Sequence, residues 1–153
     1  MTDQLKDGSG TMDTVLDHAG WPRLVADLHS TCSQAVRSEE AQLIGRLVDI
    51  ARRVPAPFSG ILATTFDERL LAVWLDCGAV LSVASALLGP GSGYMLSRSS
   101  DGSAFATVVA DGVDEEFNCF ADSEAIALCG AICAALKEKL RRAEATPGGL
   151  QLH

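Results

Sequence analysis

The hydrophobic pattern predicts an α+β fold with an N-terminal helical pair, a long central helix, a three-stranded antiparallel meander and a C-terminal helix. Three observations carry this. Apolar residues recur at helical spacing from Trp21 to Leu88. The period then drops to two across residues 94–119 and returns to helical spacing after Ser123. Where the period changes the chain is punctuated by Gly89-Pro90-Gly91-Ser92-Gly93, and within the meander by Ser100-Asp101-Gly102-Ser103 and Asp111-Gly112.

Taken in order, residues 1–10 read as a flexible arm, and a short helix after Thr11 is expected to end near Gly20. A stronger helix opens at Trp21-Pro22, where a first-turn proline loses no bond. Its stripe is Trp21, Leu24, Val25, Leu28, Cys32, Ala35 and Val36. Ser38 fits the cap of the next helix, with Glu39 and Glu40 favouring its positive end. Leu43, Ile44, Leu47, Val48 and Ala51 form its buried side, and Pro55 and Pro57 stop it. The short join predicts an antiparallel pair.

Thr65 and Glu68 make a capping-box pattern ahead of Phe66, Leu70, Val73, Trp74, Cys77, Val80, Leu81, Ala84, Leu87 and Leu88. Leu71, Leu75 and Val83 lie on the other side, so a helix over residues 66–88 would be apolar almost all round and central. Residues 70–88 are long enough to cross a bilayer. Asp76 inside them costs about 2.5–3.5 kcal/mol, against about 0.3–0.6 returned by each Leu, Ile, Phe or Val. With Gly78, Ser82 and Ser85 also present and no basic anchors, a buried helix is the better reading and no membrane span is expected. Residues 94–98, 104–110 and 113–119 follow as strands, then a helix over residues 123–142 with stripe Ala125, Ile126, Cys129, Ile132, Cys133, Leu136 and Leu140. Residues 11–145 thus form a single α+β domain, and residues 146–153 a flexible tail. One stretch reads two ways: residues 61–64 and 70–75 also fit a hairpin, leaving a helix only over residues 77–88. That order is similar to roadblock-type dynein light-chain domains.

Composition narrows the function. Of 153 residues, 48% are apolar and 21% charged, which suffices for a core, while 5% aromatic content leaves it to Leu, Val, Ile and Ala. A net charge of −8 disfavours nucleic acid, whose binding draws on Lys and Arg. Five cysteines, Cys32, Cys77, Cys119, Cys129 and Cys133, with no apolar leader ahead of them, point to reduced thiols in a cytoplasm. Cys129 and Cys133 lie one helical turn apart and would make half of a zinc site with Cys119. Both sit in an apolar stripe without a C-x-x-C knuckle, which favours core packing. His18, His29 and His153 form no set, and neighbours in Asp27-Leu28-His29-Ser30 cannot aim at one another as a triad requires. No catalytic constellation can be placed, and no cofactor or metal is expected.

The acidic stretch says more. No basic residue lies between Arg98 and Lys137, whereas Asp101, Asp111, Asp114, Glu115, Glu116, Asp122 and Glu124 all do. Their spacing is not that of a calcium loop. Asp111, Asp114, Glu115, Glu116, Asp122 and Glu124 are therefore the candidate partner-binding residues, as one negative lobe that docks a basic protein surface.

Residues 65–140 have a helix–three strands–helix order similar to double-stranded-RNA-binding domains. The Asp-Gly-Ser-x-Phe of residues 101–105, the acidic third strand and the helix start at residues 122–126 resemble HicB-type antitoxins; residues 127–129 are similar to small phage and mobile-element proteins. The resemblance implies an accessory protein that binds another protein. Asp122 and Glu124 stand where an RNA-binding domain of this order would carry lysine, which disfavours RNA. The expectation is a non-enzymatic protein-interaction module of the phage or mobile-element accessory kind. An antitoxin-like or inhibitor protein covering a basic site is the first alternative, and a metal protein using the clustered cysteines the second. Homo-oligomerisation stays open.

Overall fold

The computed structural model describes residues 9–58 and 60–145, with side chains from residue 20 onward except Pro57. The expected arm thus lies largely outside the described residues, and the expected tail wholly so. The elements are α1 (Ser9–Cys32), a 3-10 turn (Arg37–Glu39), α2 (Glu40–Arg52), a second 3-10 turn (Ala56–Phe58), α3 (Glu68–Asp76), α4 (Val80–Leu87), β1 (Gly93–Arg98), β2 (Ala104–Val109), β3 (Glu116–Ala121) and α5 (Glu124–Ala145). The fold is α+β, with the antiparallel sheet in the order β1-β2-β3.

The centre of the molecule is α5, not the segment 66–88. Every residue from Ala125 to Cys133 is buried, as are Ala135 and Leu136. One side of α5 packs on the sheet and the other on α1, α2 and α4. Alternation puts Ala104, Ala106 and Val108 of β2 against it, all fully buried, with Leu96 of β1 and Cys119 of β3 partly buried on the same face. Small residues are the means of contact. At Gly130 a Cβ would fall inside the van der Waals radius of Cys119 Sγ and 3.2 Å from Cys119 Cβ and Cys32 Cβ. Any side chain there would push β3 and α1 off the helix.

The expected long helix is two helices. At Gly78 the backbone turns left-handed, with φ of +81°. The Gly78 amide donates to Leu75 O at 3.2 Å and that of Ala79 to Trp74 O at 2.8 Å. This paired closure is how a helix ends on a left-handed glycine. The cap is also displaced from Thr65: Asp67 Oδ1 accepts from the amides of Arg69 and Leu70 at 3.0 and 3.2 Å. Glu68 instead reaches α2, taking Arg52 Nε at 2.8 Å and Arg52 Nη2 at 2.6 Å. Residues 61–64 do not form a hairpin with 70–75 either. They meet the end of α4, through a Leu62–Leu88 bridge, Ala63 N to Leu87 O at 2.8 Å and Gly89 N to Ile61 O at 2.7 Å.

At the other end α1 runs past Pro22, where a break was expected between two helices. A proline inside a helix costs about 3 kcal/mol; burial of Trp21, Val25, Leu28 and Cys32 offsets it. Trp21 is wholly buried, stacks on Phe58 at 5.5 Å and donates Nε1–H to Ile50 O at 3.0 Å. That bond ties the chain near Pro22 to the far end of α2, so the two helices run antiparallel. No described helix is long and apolar enough to cross a membrane.

Trp21 and not Trp74 is therefore the aromatic anchor. Trp21→Ala is expected to cost about 3–5 kcal/mol, as the loss of a large buried side chain does. Trp74, only half-buried on a helix with a single buried residue, should cost well under half of that when cut to Ala. Urea unfolding of the two variants measures the difference.

Candidate functional site

The acidic residues of the sequence form two groups at opposite ends of the sheet. Asp111, Asp114, Glu115 and Glu116 occupy the β2–β3 connection and the start of β3, while Asp122 and Glu124 follow its end. The length of β3 separates them by roughly 17 Å. Alternation alone could not show this, because the acidic run is continuous in sequence and the strand inside it was expected over residues 113–119. It begins instead at Glu116 and ends at Ala121. Gly112, with φ of +75°, and a Val113 N to Ala110 O bond of 3.1 Å turn the chain first. Val113 is drawn into the core, and residues 110–115 become a connection.

The second group is internally compensated. Asp122 accepts the Arg37 amide at 2.6 Å, and its carbonyl oxygen accepts Arg37 Nη2 at 3.5 Å. Glu124 pairs with Arg98 at 2.6 Å, and its carboxyl is held below the ordinary range by the helix-start backbone amide and by that guanidinium. Both groups fasten the start of α5 to the rest of the chain. In the first group Glu115 pairs with Arg142 of α5. Asp111, Asp114 and Glu116 form no ion pair among the described residues; all three are exposed, with the Asp111 carboxylate leaning over Gly60 and Gly91.

These three stand at the end of a surface that the sequence reading did not single out. The outer face of the sheet, turned away from α5, presents Met95 from β1, Phe105, Thr107 and Val109 from β2, and Glu116, Asn118 and Phe120 from β3. An antiparallel sheet covered on one side ordinarily alternates apolar-in with polar-out. Here the outer positions hold a methionine at 69% exposure, a phenylalanine at 68% and a valine at 46%. Phe105 and Phe120 lie directly opposite in register, with ring centroids 4.5 Å apart. At the middle, Thr107 is almost buried and donates its hydroxyl to Asn118 Oδ1 at 2.8 Å. The arrangement is an apolar platform around one satisfied polar pair, with unpaired carboxylates at one end. Its signal lay in the alternate residues Phe105, Thr107 and Val109 against Ala104, Ala106 and Val108, since the small set had to be the one packed on a helix.

A second departure concerns α3. Of Leu70, Val73, Trp74 and Cys77, read from the sequence as an inward stripe, only Trp74 packs against the core, and it is half-buried; Leu70 is 43% and Val73 60% exposed, and Cys77 is exposed. Leu71 is the buried residue of this helix.

The cysteines outside α3 do come together. Cys32 of α1, Cys119 of β3 and Cys129 and Cys133 of α5 meet around Gly130, all but Cys119 fully buried. Hydrogen bonds to the Cys133 and Cys32 sulfurs, together with burial, push the Cys129 thiol well above its ordinary pKa. Burial, followed by the charges that Cys32 and Cys133 would carry, pushes Cys119 up to about 11. A protonated thiol is neither nucleophile nor metal ligand, which disfavours Cys119 and Cys129 for either role; Cys32 moves the other way, lowered by its hydrogen bond with Cys129. No group of three or more His, Cys, Asp or Glu placed to hold a metal ion occurs among the described residues. His29, whose ring nitrogen lies 3.2 Å from Lys137 Nζ, has its pKa lowered by burial and then by that ammonium.

Thiol chemistry separates the two classes of cysteine. At pH 8 a soluble alkylating reagent should modify Cys77 rapidly in the native protein, and Cys32, Cys129 and Cys133 only at the rate of unfolding. Peptide mapping by mass spectrometry reads the order; native labelling of Cys129 ahead of Cys77 would contradict it.

No protein-family model, curated protein or solved structure matches this chain.

Proposed function

We propose that this chain is a non-enzymatic protein-interaction module that binds its partner on the outer face of the sheet. The observation that carries the reading is the exposure of Met95, Val109 and Phe120 beside the Phe105–Phe120 pair on a face the fold has no need to make apolar. Large exposed apolar side chains grouped on one rigid face, rimmed by charge, are the usual anatomy of a docking surface. Aromatic and methionine side chains are enriched at such surfaces.

Charge defines the partner. Asp111, Asp114 and Glu116 at one end of the platform call for a protein whose apolar contact is flanked by Lys or Arg on that side. A net charge of −8 steers such a partner in and keeps nucleic acid away. Asp122 and Glu124, already bound to Arg37 and Arg98, act in holding α5 and contribute less to recognition. The accessory-protein reading drawn from residues 65–140 is compatible with this surface, because an antitoxin-like protein works by covering another protein.

The test replaces the platform without touching the core. Met95 and Phe120 are both exposed, so Met95→Lys with Phe120→Lys should leave the chain folded, at a cost of about the 0.5–1.5 kcal/mol that an aromatic pair such as Phe105–Phe120 contributes. A partner captured from cells of the native host by the unaltered chain should be lost by this double variant and kept by Ala72→Lys on α3. Asp114→Lys with Glu116→Lys should slow association and flatten its dependence on salt. Retention of the same partner, at the same affinity, by the Met95/Phe120 variant would overturn the proposal.

A further inference from the structure

The hydrogen-bond pattern of the first hairpin fixes which backbone groups of the sheet are left unpaired. Ser99 N donates to Ser103 O at 2.8 Å, so Ser99 and Ser103 are a hydrogen-bonded pair. Their positions continue the register in which Ser97 opposes Phe105, Met95 opposes Thr107 and Gly93 opposes Val109. Bonded and non-bonded pairs alternate along an antiparallel ladder. The bonded residues of β1 are therefore Gly93, Met95 and Ser97. Tyr94, Leu96 and Arg98 aim their N–H and C=O groups away from β2, along the outer edge of the sheet.

Apart from Arg98, whose charge Glu124 takes, that edge lacks the devices that ordinarily keep strands apart. It carries no proline, no bulge and no lysine, and it is six residues long. Every residue of β1 except Leu96 is exposed, and β2 is its only strand neighbour among the described residues. The opposite edge, β3, is protected. Antiparallel self-pairing centred on Asn118 would bring Glu116 opposite Phe120 and Asp114 opposite Asp122, setting like charges against each other.

We infer that the β1 edge pairs antiparallel with β1 of a second copy of this chain, Leu96 opposite Leu96 and Tyr94 opposite Arg98, giving a continuous six-stranded sheet. This register is the one that uses all three outward residues of both strands at once. Each of the three opposing pairs exchanges two backbone bonds. The side chains agree with it. Leu96, half-buried at the margin of α5, gains an apolar neighbour across the two-fold axis. Tyr94, 44% exposed, comes over the Arg98 guanidinium, which keeps its Glu124 partner. No like charges face each other. The pairing also lays the two outer faces side by side, doubling the platform of Met95, Phe105 and Phe120.

Amide hydrogen exchange resolved by residue, read alongside sedimentation over a range of protein concentrations, tests the register on the unaltered chain. Met95 and Ser97 amides, bonded to β2, should be protected at every concentration. Tyr94, Leu96 and Arg98 amides should exchange fast in dilute protein and slow at least tenfold as the sedimenting mass doubles. Tyr94→Pro removes one outward N–H at an edge position that tolerates proline, and should hold the mass at that of a monomer with the circular dichroism unchanged. A chain that stays monomeric up to millimolar concentration would overturn the inference. So would a dimer in which the Tyr94, Leu96 and Arg98 amides remain fast, and that result stands whether or not the proline variant folds.

Discussion

Close approach of three elements to one point on α5 is the constraint on which the rest of the structure depends. With few aromatic side chains, the chain cannot fill its centre with large rings. It brings backbones together instead. Gly130 admits Cys119 of β3 from one side and Cys32 of α1 from another, and Ala125, Ala127, Ala131 and Ala135 continue the small surface along the helix. The four cysteines belong to this packing. Sulfur is small and polarizable enough to fill such a contact, and the same burial helps push the Cys119 and Cys129 thiols up.

The same constraint divides the sheet. Its inner face must be small where it meets α5, and Ala104, Ala106 and Cys119 meet that need. Nothing in the core requires the outer face to be apolar, yet that is where Met95, Phe105 and Phe120 stand. The α5 contact fixes β2 and β3 against a rigid helix, so the outer platform is held by the core rather than by flexible loops. Arg98–Glu124 and Arg142–Glu115 tie α5 to opposite ends of the sheet. Carboxylates near the sheet thus have two roles: some pin the scaffold, and Asp111, Asp114 and Glu116 rim the face.

The sequence disclosed most of the element order and misled on what is central. The three strands and α5 were legible because a change of period and Gly-bearing turns mark them, and Gly102 and Gly112 do adopt positive φ. The segment 66–88 was misread because its apolar content is high on every side, so periodicity could not reveal the break. Gly78 was the one local sign of a stop, and it requires the left-handed closure to be seen as such. Leu70, Val73 and Cys77 have helical spacing but lie outward, with Trp74 of the same stripe half-buried against the core, since spacing shows that residues share a face and not which face is buried. Central position went instead to α5, whose alanines and Gly130 look unremarkable in a hydropathy pattern. The acidic residues were legible as a group by composition, but their division between two ends of the sheet depends on where β3 begins. The platform was missed because each strand was read by its period and the two faces were not compared.

Hydroxyl-radical footprinting of the chain, alone and bound to the partner captured from its native host, tests most directly whether the outer face is where it meets another protein. Met95, Phe105 and Phe120 should lose reactivity together on binding, while Val73 and Trp74 on α3 keep theirs. Protection of Val73 and Trp74 with the three sheet residues unchanged would contradict it.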